Sequence, residues 1–299
     1  MSKAPFGLSC AISTPFDGNG AVDMPRLIAH AKRCRADGSD SITLFGTTGE
    51  GFSVSLEERV RAIGAFKTVG FDMGREVGVG IMAASVGDAA QQCRQALKAG
   101  CRHLLVAPPF YAKGPSDDGL FAWHAELFNS LGDVARDVIL YHLPSVTAVP
   151  LSLDLIGRLK IAFPKVVRGV KDSGGDLAHS EALVSKHGEL AILIGDERHL
   201  AAIVRKGGQG AICGMANLEA KRLRALVYEG RDDPVINALV ETIVSYPVLA
   251  AIKTMIAHRM KDREWLRMRA PMDKLDGERA ARLVAKYDAA SGSAHPSTT

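Results

Sequence analysis

Cysteine is scarce in this sequence, and the cysteines do not stand at spacings typical of a metal or redox site. The chain has 299 residues and five cysteines: Cys10, Cys34, Cys93, Cys101 and Cys213. Their number is odd and no C-x-x-C motif occurs, so we expect neither a disulfide framework nor a zinc site, and we predict a reducing, cytoplasmic location. The histidines show no H-E-x-x-H spacing, and no metal is expected.

Long apolar runs and blocks of like charge are also missing. No stretch of about 18 apolar residues occurs, so no membrane span is expected. The start, MSKAPFGLSCAISTPF, has no apolar run long enough for a signal peptide. The net charge is +4 without a basic block, which argues against a nucleic-acid partner and would suit a small anionic substrate.

Short apolar runs recur along most of the chain, each bounded by Gly, Pro or Asp. Most are rich in Val, Ile and Leu, which is typical of parallel strands buried on both faces. These predicted strands cover residues 7–14, 40–46, 76–83, 103–109, 138–144, 166–173, 191–196 and 210–217.

Helical patterns fill the gaps between these strands. Residues 55–69 open with a capping box formed by Ser55 and Glu58. Residues 87–100 are predicted to begin at Asp88 as N-cap and to end at Gly100. The other predicted helices cover residues 24–38, 116–131, 152–162, 177–187, 197–206 and 217–229.

Eight strands alternating with eight helices predict a (β/α)₈ TIM barrel over residues 1–230. A doubly wound open sheet is disfavoured because no G-x-G-x-x-G follows the first strand. Three further helical stretches, 231–246, 247–260 and 276–289, predict a C-terminal helical appendix over residues 231–290. The small polar residues 291–299 are expected to form a disordered tail.

Barrel enzymes carry their active sites at the C-terminal ends of the strands, so the residues there are the candidates. Lys171 stands at the end of predicted strand 6 and Tyr141 near the end of strand 5. Burial disfavours the charged form of a lysine, and a neutral amine can attack a ketone to form a Schiff base. A phenol on the next strand can relay protons. For Lys171 the alternatives are a salt bridge with Asp172 and a strand-end lysine whose ammonium extends to solvent. For Tyr141 the alternative is a tyrosine that fills the core.

Other candidates follow neighbouring strands. GTTGE (46–50) offers hydroxyls and backbone N–H groups that could hold a carboxylate, or it could be an ordinary turn. His142 could act as an acid or base facing the substrate, or it could cap a strand. The remaining strand-end residues are Tyr111, Gly195 and Ile212.

Three motifs in this order resemble the dihydrodipicolinate synthase / N-acetylneuraminate lyase family of Schiff-base-forming lyases. They are GTTGEGFSVSLEER (46–59), YHLP (141–144) and GVKDSGGD (169–176), within a likeness that covers residues from about 5 to 290. The resemblance implies a (β/α)₈ barrel that binds a 2-oxo acid without a cofactor, through a covalent imine. It also implies a homotetramer built as a dimer of dimers.

The resemblance assigns roles to individual residues. Lys171 would form the imine, and Tyr141 would relay protons through Thr47 to a Tyr111 that reaches over from a neighbouring subunit. The 2-oxo acid carboxylate would lie against Gly46, Thr47 and Thr48, and the backbone around Gly195 and Ile212 would line the same pocket.

The sequence also departs from the synthases of this family. Val146 stands where they place an arginine that holds the carboxylate of aspartate semialdehyde, and valine cannot make that contact. His142 replaces an asparagine, and Gly51 stands where a serine is frequent.

The leading functional hypothesis is a lyase, an aldolase or dehydratase, acting on a 2-oxo acid such as pyruvate plus an aldehyde or a 2-keto-3-deoxy sugar acid. The first alternative is dihydrodipicolinate synthase, which condenses pyruvate with aspartate semialdehyde. The second is a barrel that binds a 2-oxo acid without turning it over.

Overall fold

A computed structural model describes residues 6–292 of the chain. Eight parallel strands close into a barrel in sequential order, with β1 paired to both β2 and β8. The predicted TIM barrel is therefore confirmed. The strands are Gly7–Ala11 (β1), Ser41–Leu44 (β2), Val77–Ile81 (β3), Leu104–Val106 (β4), Val138–His142 (β5), Val167–Asp172 (β6), Ala191–Ile194 (β7) and Gly210–Cys213 (β8).

Helices surround the barrel and continue beyond it. Short 3₁₀ turns occur at Gly51–Ser53, Gly132–Val134 and Arg263–Leu266. The α-helices are Met24–Ala36 (α1), Leu56–Thr68 (α2), Met73–Glu76 (α3), Val86–Ala99 (α4), Asp117–Leu131 (α5), Pro144–Thr147 (α6), Leu153–Ala162 (α7), Leu177–His187 (α8), Glu197–Arg205 (α9), Ala216–Glu229 (α10), Pro234–Val244 (α11), Val248–Met260 (α12) and Gly277–Ser291 (α13).

The ends of several elements differ from the prediction. The N-cap of α4 is Ser85, whose hydroxyl accepts a hydrogen bond from the Asp88 N–H at 3.1 Å, so Asp88 lies inside the first turn. The Ser55–Glu58 capping box of α2 is present as predicted. Ser291, which we predicted to open the tail, is the last residue of α13, and residues 293–299 lie outside the described residues.

The inside of the barrel is packed with side chains. Alternate residues of each strand point inward, because successive side chains of a strand lie on opposite faces. Near the start of β4, His103 lies within hydrogen-bonding distance of Thr43, at 3.0 Å, and a Cβ on Gly78 would lie only 2.1 Å from its ring. The apolar part of the interior consists of Ala11, Leu105, Ala107, Ile139, Tyr141, Leu143, Ala191, Leu193 and Ile212.

Helices α11 and α12 cover the mouth of the barrel. No single helix within residues 6–292 is long and apolar enough to cross a membrane; α11 and α12 reach that length and composition only as a pair bent by 116°. Residues 250–257 of α12 are all buried against the rest of the protein. The C-terminal helices thus close over the end of the barrel where active sites of this fold lie.

An ion pair inside the protein connects α12 to the loop after β2. The Lys253 ammonium pairs with the Glu50 carboxylate, and both side chains are buried. Lys253 also donates to the Arg267 carbonyl at 2.9 Å and lies 4.4 Å from the centre of the Phe16 ring. Burial lowers the pKa of Lys253, and the Glu50 carboxylate opposes that shift. Because one partner alone would be a buried unpaired charge, the pair fixes α12 over the GTTGE loop.

The turn at the end of the GTTGE loop leaves no room for a side chain at position 51 of this structure. A Cβ on Gly51 would lie 1.8 Å from the Phe45 carbonyl oxygen. Phe45 and Glu50, on either side of the turn, both have left-handed φ angles, of 57° and 52°. The buried Arg59 guanidinium closes the turn by donating to the Gly51 carbonyl at 2.6 Å.

We expect Gly51→Ser to destabilise the protein because the new Cβ would overlap the Phe45 carbonyl. Overpacking of this kind costs about 1–3 kcal/mol or more. The measurement is the free energy of unfolding from denaturant titration. The matched control is Gly64→Ser on α2, where an added Cβ meets nothing within 4 Å. Equal stability of the two variants would contradict this account of the loop.

Candidate active site

Lys171 and Tyr141 lie side by side inside the mouth of the barrel. The parallel register pairs Tyr141 of β5 with Lys171 of β6, so both side chains point inward. The Lys171 Nζ donates to the Tyr141 Oη at 3.1 Å and lies 4.3 Å from the centre of the ring. Only 4% of Lys171 and 3% of Tyr141 is exposed. The amine is thus removed from bulk water and faces a phenol.

Thr47 extends this contact toward the GTTGE loop. Its Oγ1 lies 3.3 Å from the Tyr141 Oη, so threonine, tyrosine and lysine form one row of polar groups. The hydroxyls can donate or accept, so a proton can pass along the row. These three side chains come from β6, β5 and the loop after β2, which were the three motif positions in the sequence.

The neighbouring Asp172 does not neutralise Lys171. Asp172 Oδ2 accepts from Ser180 Oγ at 2.7 Å and lies 3.0 Å from His179 Nδ1, while Oδ1 accepts from the Gly174 N–H. Burial alone would raise the pKa of Asp172, but these hydrogen bonds lower it below its usual value. Within residues 6–292, Lys171 forms no ion pair, so the salt bridge considered from the sequence is not present.

A cavity of about 280 Å³ opens in front of the Lys171 amine. Its polar side consists of strand-end and loop residues, and its apolar side includes residues of α11 and α12. The lining comprises Thr47, Thr48, Tyr141, Leu143, Ser145, Val146, Lys171, Ser173, Gly195, Asp196, Glu197, Gly214, Met215, Val240, Ile243, Val244, Val248, Leu249 and Ile252.

Some of the other predicted site residues line this pocket and others do not. Thr48 and Gly195 line it, and a Cβ on Gly195 would lie 3.1 Å from the Lys171 Cε. Gly46 belongs to the turn, where its carbonyl accepts from the Gly51 N–H at 3.0 Å. Ile212 is fully buried in the barrel interior and does not line the pocket.

Tyr111 lies outside the pocket of its own chain. It stands in the loop between β4 and α5, and 87% of it is exposed. The chain therefore presents this tyrosine to its surroundings and not to its own Thr47.

The substrate-facing position predicted for His142 is wrong in this structure. Because Tyr141 points into the barrel, the next residue points outward, toward α8. The His142 ring stacks on His179 at 4.3 Å, and its Nδ1 accepts the Leu151 N–H at 3.0 Å. Burial lowers the pKa of His142.

His142, Asp172 and His179 form a polar cluster behind the strand that carries Lys171. Their ligand atoms lie within 4.8 Å of one another, which is close enough for a metal ion. However, His142 Nδ1 accepts a backbone N–H, so its other nitrogen carries the proton in the neutral ring and cannot be a metal ligand. The cluster is therefore accounted for as a hydrogen-bond network that holds the end of β6 against α8.

Sequence reasoning missed several pocket residues. Ser173 is the last residue of predicted strand 6 and Glu197 directly follows predicted strand 7, so the strand-end rule could have found both. Glu197 is 5% exposed and accepts the Met215 N–H at 2.9 Å, and burial raises its pKa. The sequences of α11 and α12 do not show that these helices line the pocket. An apolar helix face can be recognised in a sequence, but the surface against which it packs cannot.

Comparison with known proteins shows the family of this chain. The model of the dihydrodipicolinate synthetase family matches residues 4–290. The chain belongs to that family. It is 32% identical over 295 residues to an uncharacterized DapA-like lyase of Chloroflexus aurantiacus, with 95% of this chain and 96% of the relative covered.

Further relatives carry synthase names. The chain is 32% identical to 4-hydroxy-tetrahydrodipicolinate synthase 1 of Streptomyces coelicolor, over 75% of this chain and 72% of the relative. A crystal structure of dihydrodipicolinate synthase from Agrobacterium tumefaciens is 48% identical and superposes with a TM-score of 0.93, covering 95% of this chain and 99% of that one. The protein is a lyase of this family.

We expect His179→Gln to remove a pH-dependent part of the stability. The hydrogen bond to Asp172 raises the pKa of His179. The folded protein therefore binds this proton more tightly than the unfolded chain does. The resulting stabilisation is complete below the pKa of histidine in the unfolded chain, about 6.5. It is lost as the pH rises through the higher pKa of His179 in the folded protein. The free energy of unfolding should thus differ more between wild type and variant at pH 6 than at pH 9.

The control for this experiment is His199→Gln, which removes a histidine that takes no part in the Asp172 hydrogen bonds. If His179→Gln cost the same free energy at both pH values, the ion pair with Asp172 would not exist in solution.

Proposed function

We propose that the protein is a Schiff-base lyase that binds a 2-oxo acid as a covalent imine on Lys171. The observation that carries the proposal is the buried amine, 3.1 Å from the Tyr141 hydroxyl and without a carboxylate partner. An amine in this position attacks a carbonyl carbon when it is neutral. The family membership supports the same chemistry.

The proposed reaction uses the row of polar groups in order. The Lys171 amine attacks C2 of the 2-oxo acid. One amine proton and one proton from Tyr141 pass to the oxygen, which leaves as water and gives the protonated imine. In aldol cleavage, the C3–C4 bond breaks, its electron pair forms an enamine, and the hydroxyl proton on C4 passes to Tyr141. Protonation of C3 and hydrolysis then release the product and the amine. Dehydration would begin from the same imine.

The substrate carboxylate is proposed to bind at the GTTGE loop. Thr47 and Thr48 both line the cavity beside the amine and offer hydroxyl donors. The imine itself accepts the electron pair, so this mechanism requires no further cofactor. Pyruvate and a 2-keto-3-deoxy sugar acid share the same 2-oxo acid end. In either case this end would bind at the GTTGE loop, whether or not an aldehyde is the second substrate.

The dihydrodipicolinate synthase reaction is not favoured for this chain. Val146 of α6 lines the pocket at the position where the synthases place an arginine, and a valine cannot pair with the second carboxylate of their substrate. A binding protein without turnover is also disfavoured, because it would not need a buried amine beside a proton-relaying phenol.

We further propose a cytoplasmic homotetramer in which Tyr111 enters a neighbouring subunit's site. Tyr111 is 87% exposed and lies outside its own pocket, which suits a residue that acts across an interface. Five free cysteines, all buried, suit a reducing compartment.

Borohydride trapping tests the assignment of Lys171. After incubation with pyruvate and reduction with sodium borohydride, we expect a mass increase that peptide mapping locates on Lys171. Lys171→Ala should abolish it, while Lys186→Ala, which removes an exposed lysine on α8, should leave it intact. Absence of any adduct with pyruvate and with longer 2-oxo acids would refute the proposal.

Exchange of the pyruvate methyl protons with deuterium tests the role of Tyr141. This exchange requires only the imine and its enamine, so the natural substrate need not be known. We expect Tyr141→Phe to slow it by about 10²–10⁴-fold, the usual contribution of a positioned acid or base. An unchanged exchange rate, measured by NMR on a variant with wild-type circular dichroism, would remove Tyr141 from the proton path.

A further inference from the structure

The pocket has an apolar wall that the chemistry at Lys171 does not explain. It is formed by the residues around α6 and by α11 and α12, and Met215 adds to it from the loop after β8. We call the following residues the apolar wall: Leu143, Val146, Met215, Val240, Ile243, Val244, Val248, Leu249 and Ile252. Val146 and Val244 are 64% and 46% exposed, so the wall is open to a ligand.

The charges around the pocket are unsuited to a second anionic group. Lys171 is the one lysine or arginine that lines the cavity within residues 6–292. The acids that line it are Asp196 and Glu197, and Asp196 is already paired with Arg198 through bonds of 3.0 and 2.7 Å. A carboxylate placed against the apolar wall would lose its hydration without gaining a cation.

Groups that could bind substrate hydroxyls are also few beside the apolar wall. By residue type, the polar side chains nearest the apolar wall in this lining are Ser145, Ser173 and Glu197, and Glu197 already accepts the Met215 N–H at 2.9 Å. A polyhydroxylated chain against nine apolar side chains would leave most of its hydroxyls without partners. An apolar chain has no hydroxyls that would lose their hydrogen bonds, and its transfer from water to the apolar wall is favourable.

We propose that the aldehyde part of the substrate carries an uncharged apolar chain, aliphatic or aromatic, and that the apolar wall binds it. This inference rests on the proposed function. In the addition direction, C3 of the enamine on Lys171 forms a bond with the aldehyde carbon, whose oxygen takes up a proton. Water then hydrolyses the imine and restores the amine. The apolar wall acts only on the choice of aldehyde, and the steps at Lys171 remain the same for all of them.

The test is aldol addition of pyruvate to four aldehydes, catalysed by the full chain. We expect kcat/KM for 3-methylbutanal or benzaldehyde to exceed that for glyceraldehyde and for succinic semialdehyde by roughly tenfold or more, since one or two buried methylene groups discriminate by that factor. Preference for glyceraldehyde or succinic semialdehyde would overturn the inference. Reaction with none of the four, while borohydride still traps pyruvate on Lys171, would also overturn it and leave the imine assignment intact.

A single substitution in the apolar wall sharpens the test. Val146→Arg adds a cation at the mouth, so kcat/KM for succinic semialdehyde should rise, and kcat/KM for the apolar aldehyde should fall, each by roughly tenfold. Val134→Arg is the matched control, because Val134 is similarly exposed, at 49%, and does not line the pocket. Both variants should still be trapped by pyruvate and borohydride. Equal aldehyde preferences in the two variants would place the aldehyde elsewhere.

Discussion

The register between β5 and β6 is the constraint on which the site depends. It pairs Tyr141 with Lys171 on adjacent strands, and strand alternation then turns both side chains into the barrel and their neighbours out of it. A shift of one residue in either strand would send the lysine or the tyrosine to the helices. The same alternation places His142 and Asp172 outside, where their hydrogen bonds with Leu151 and α8 hold the strand ends.

A buried ion pair links this strand-end chemistry to the helices that follow the barrel. Glu50 ends the GTTGE turn, and Lys253 comes from the middle of α12. Since the cost of separating such a pair is high, the loop that carries Thr47 and the helix that supplies Leu249 and Ile252 keep a fixed relation. The ion pair in this way connects the polar side of the pocket to its apolar side.

The sequence was sufficient to predict the barrel and the meeting of Lys171 with Tyr141 at its mouth. Eight apolar runs with helices between them define a barrel, and a lysine and a tyrosine at strand ends must meet at its mouth. A substrate-facing His142 does not fit the alternation of β5, because the residue after the inward-facing Tyr141 must point out of the barrel. The apolar wall was not predictable, since helices α11 and α12 show only that each has an apolar face, and their packing on the barrel decides where that face lies.

Lys171 and Tyr141 are predictable and the apolar wall is not, because the two parts of the pocket are held by different elements of the fold. The barrel strands hold Lys171 and Tyr141 within a lattice of backbone hydrogen bonds, so the positions of these two side chains tolerate little change. Most of the apolar wall comes from α11 and α12, which follow the barrel, and the rest comes from residues around α6 and after β8. Val146 and Val244 are exposed and belong to no strand, so either can change without disturbing the barrel. In the proposed function, the residues that select the aldehyde are therefore distinct from Lys171 and Tyr141. The lysine motif then serves every 2-oxo acid substrate alike, and the residues over the mouth distinguish between the aldehydes.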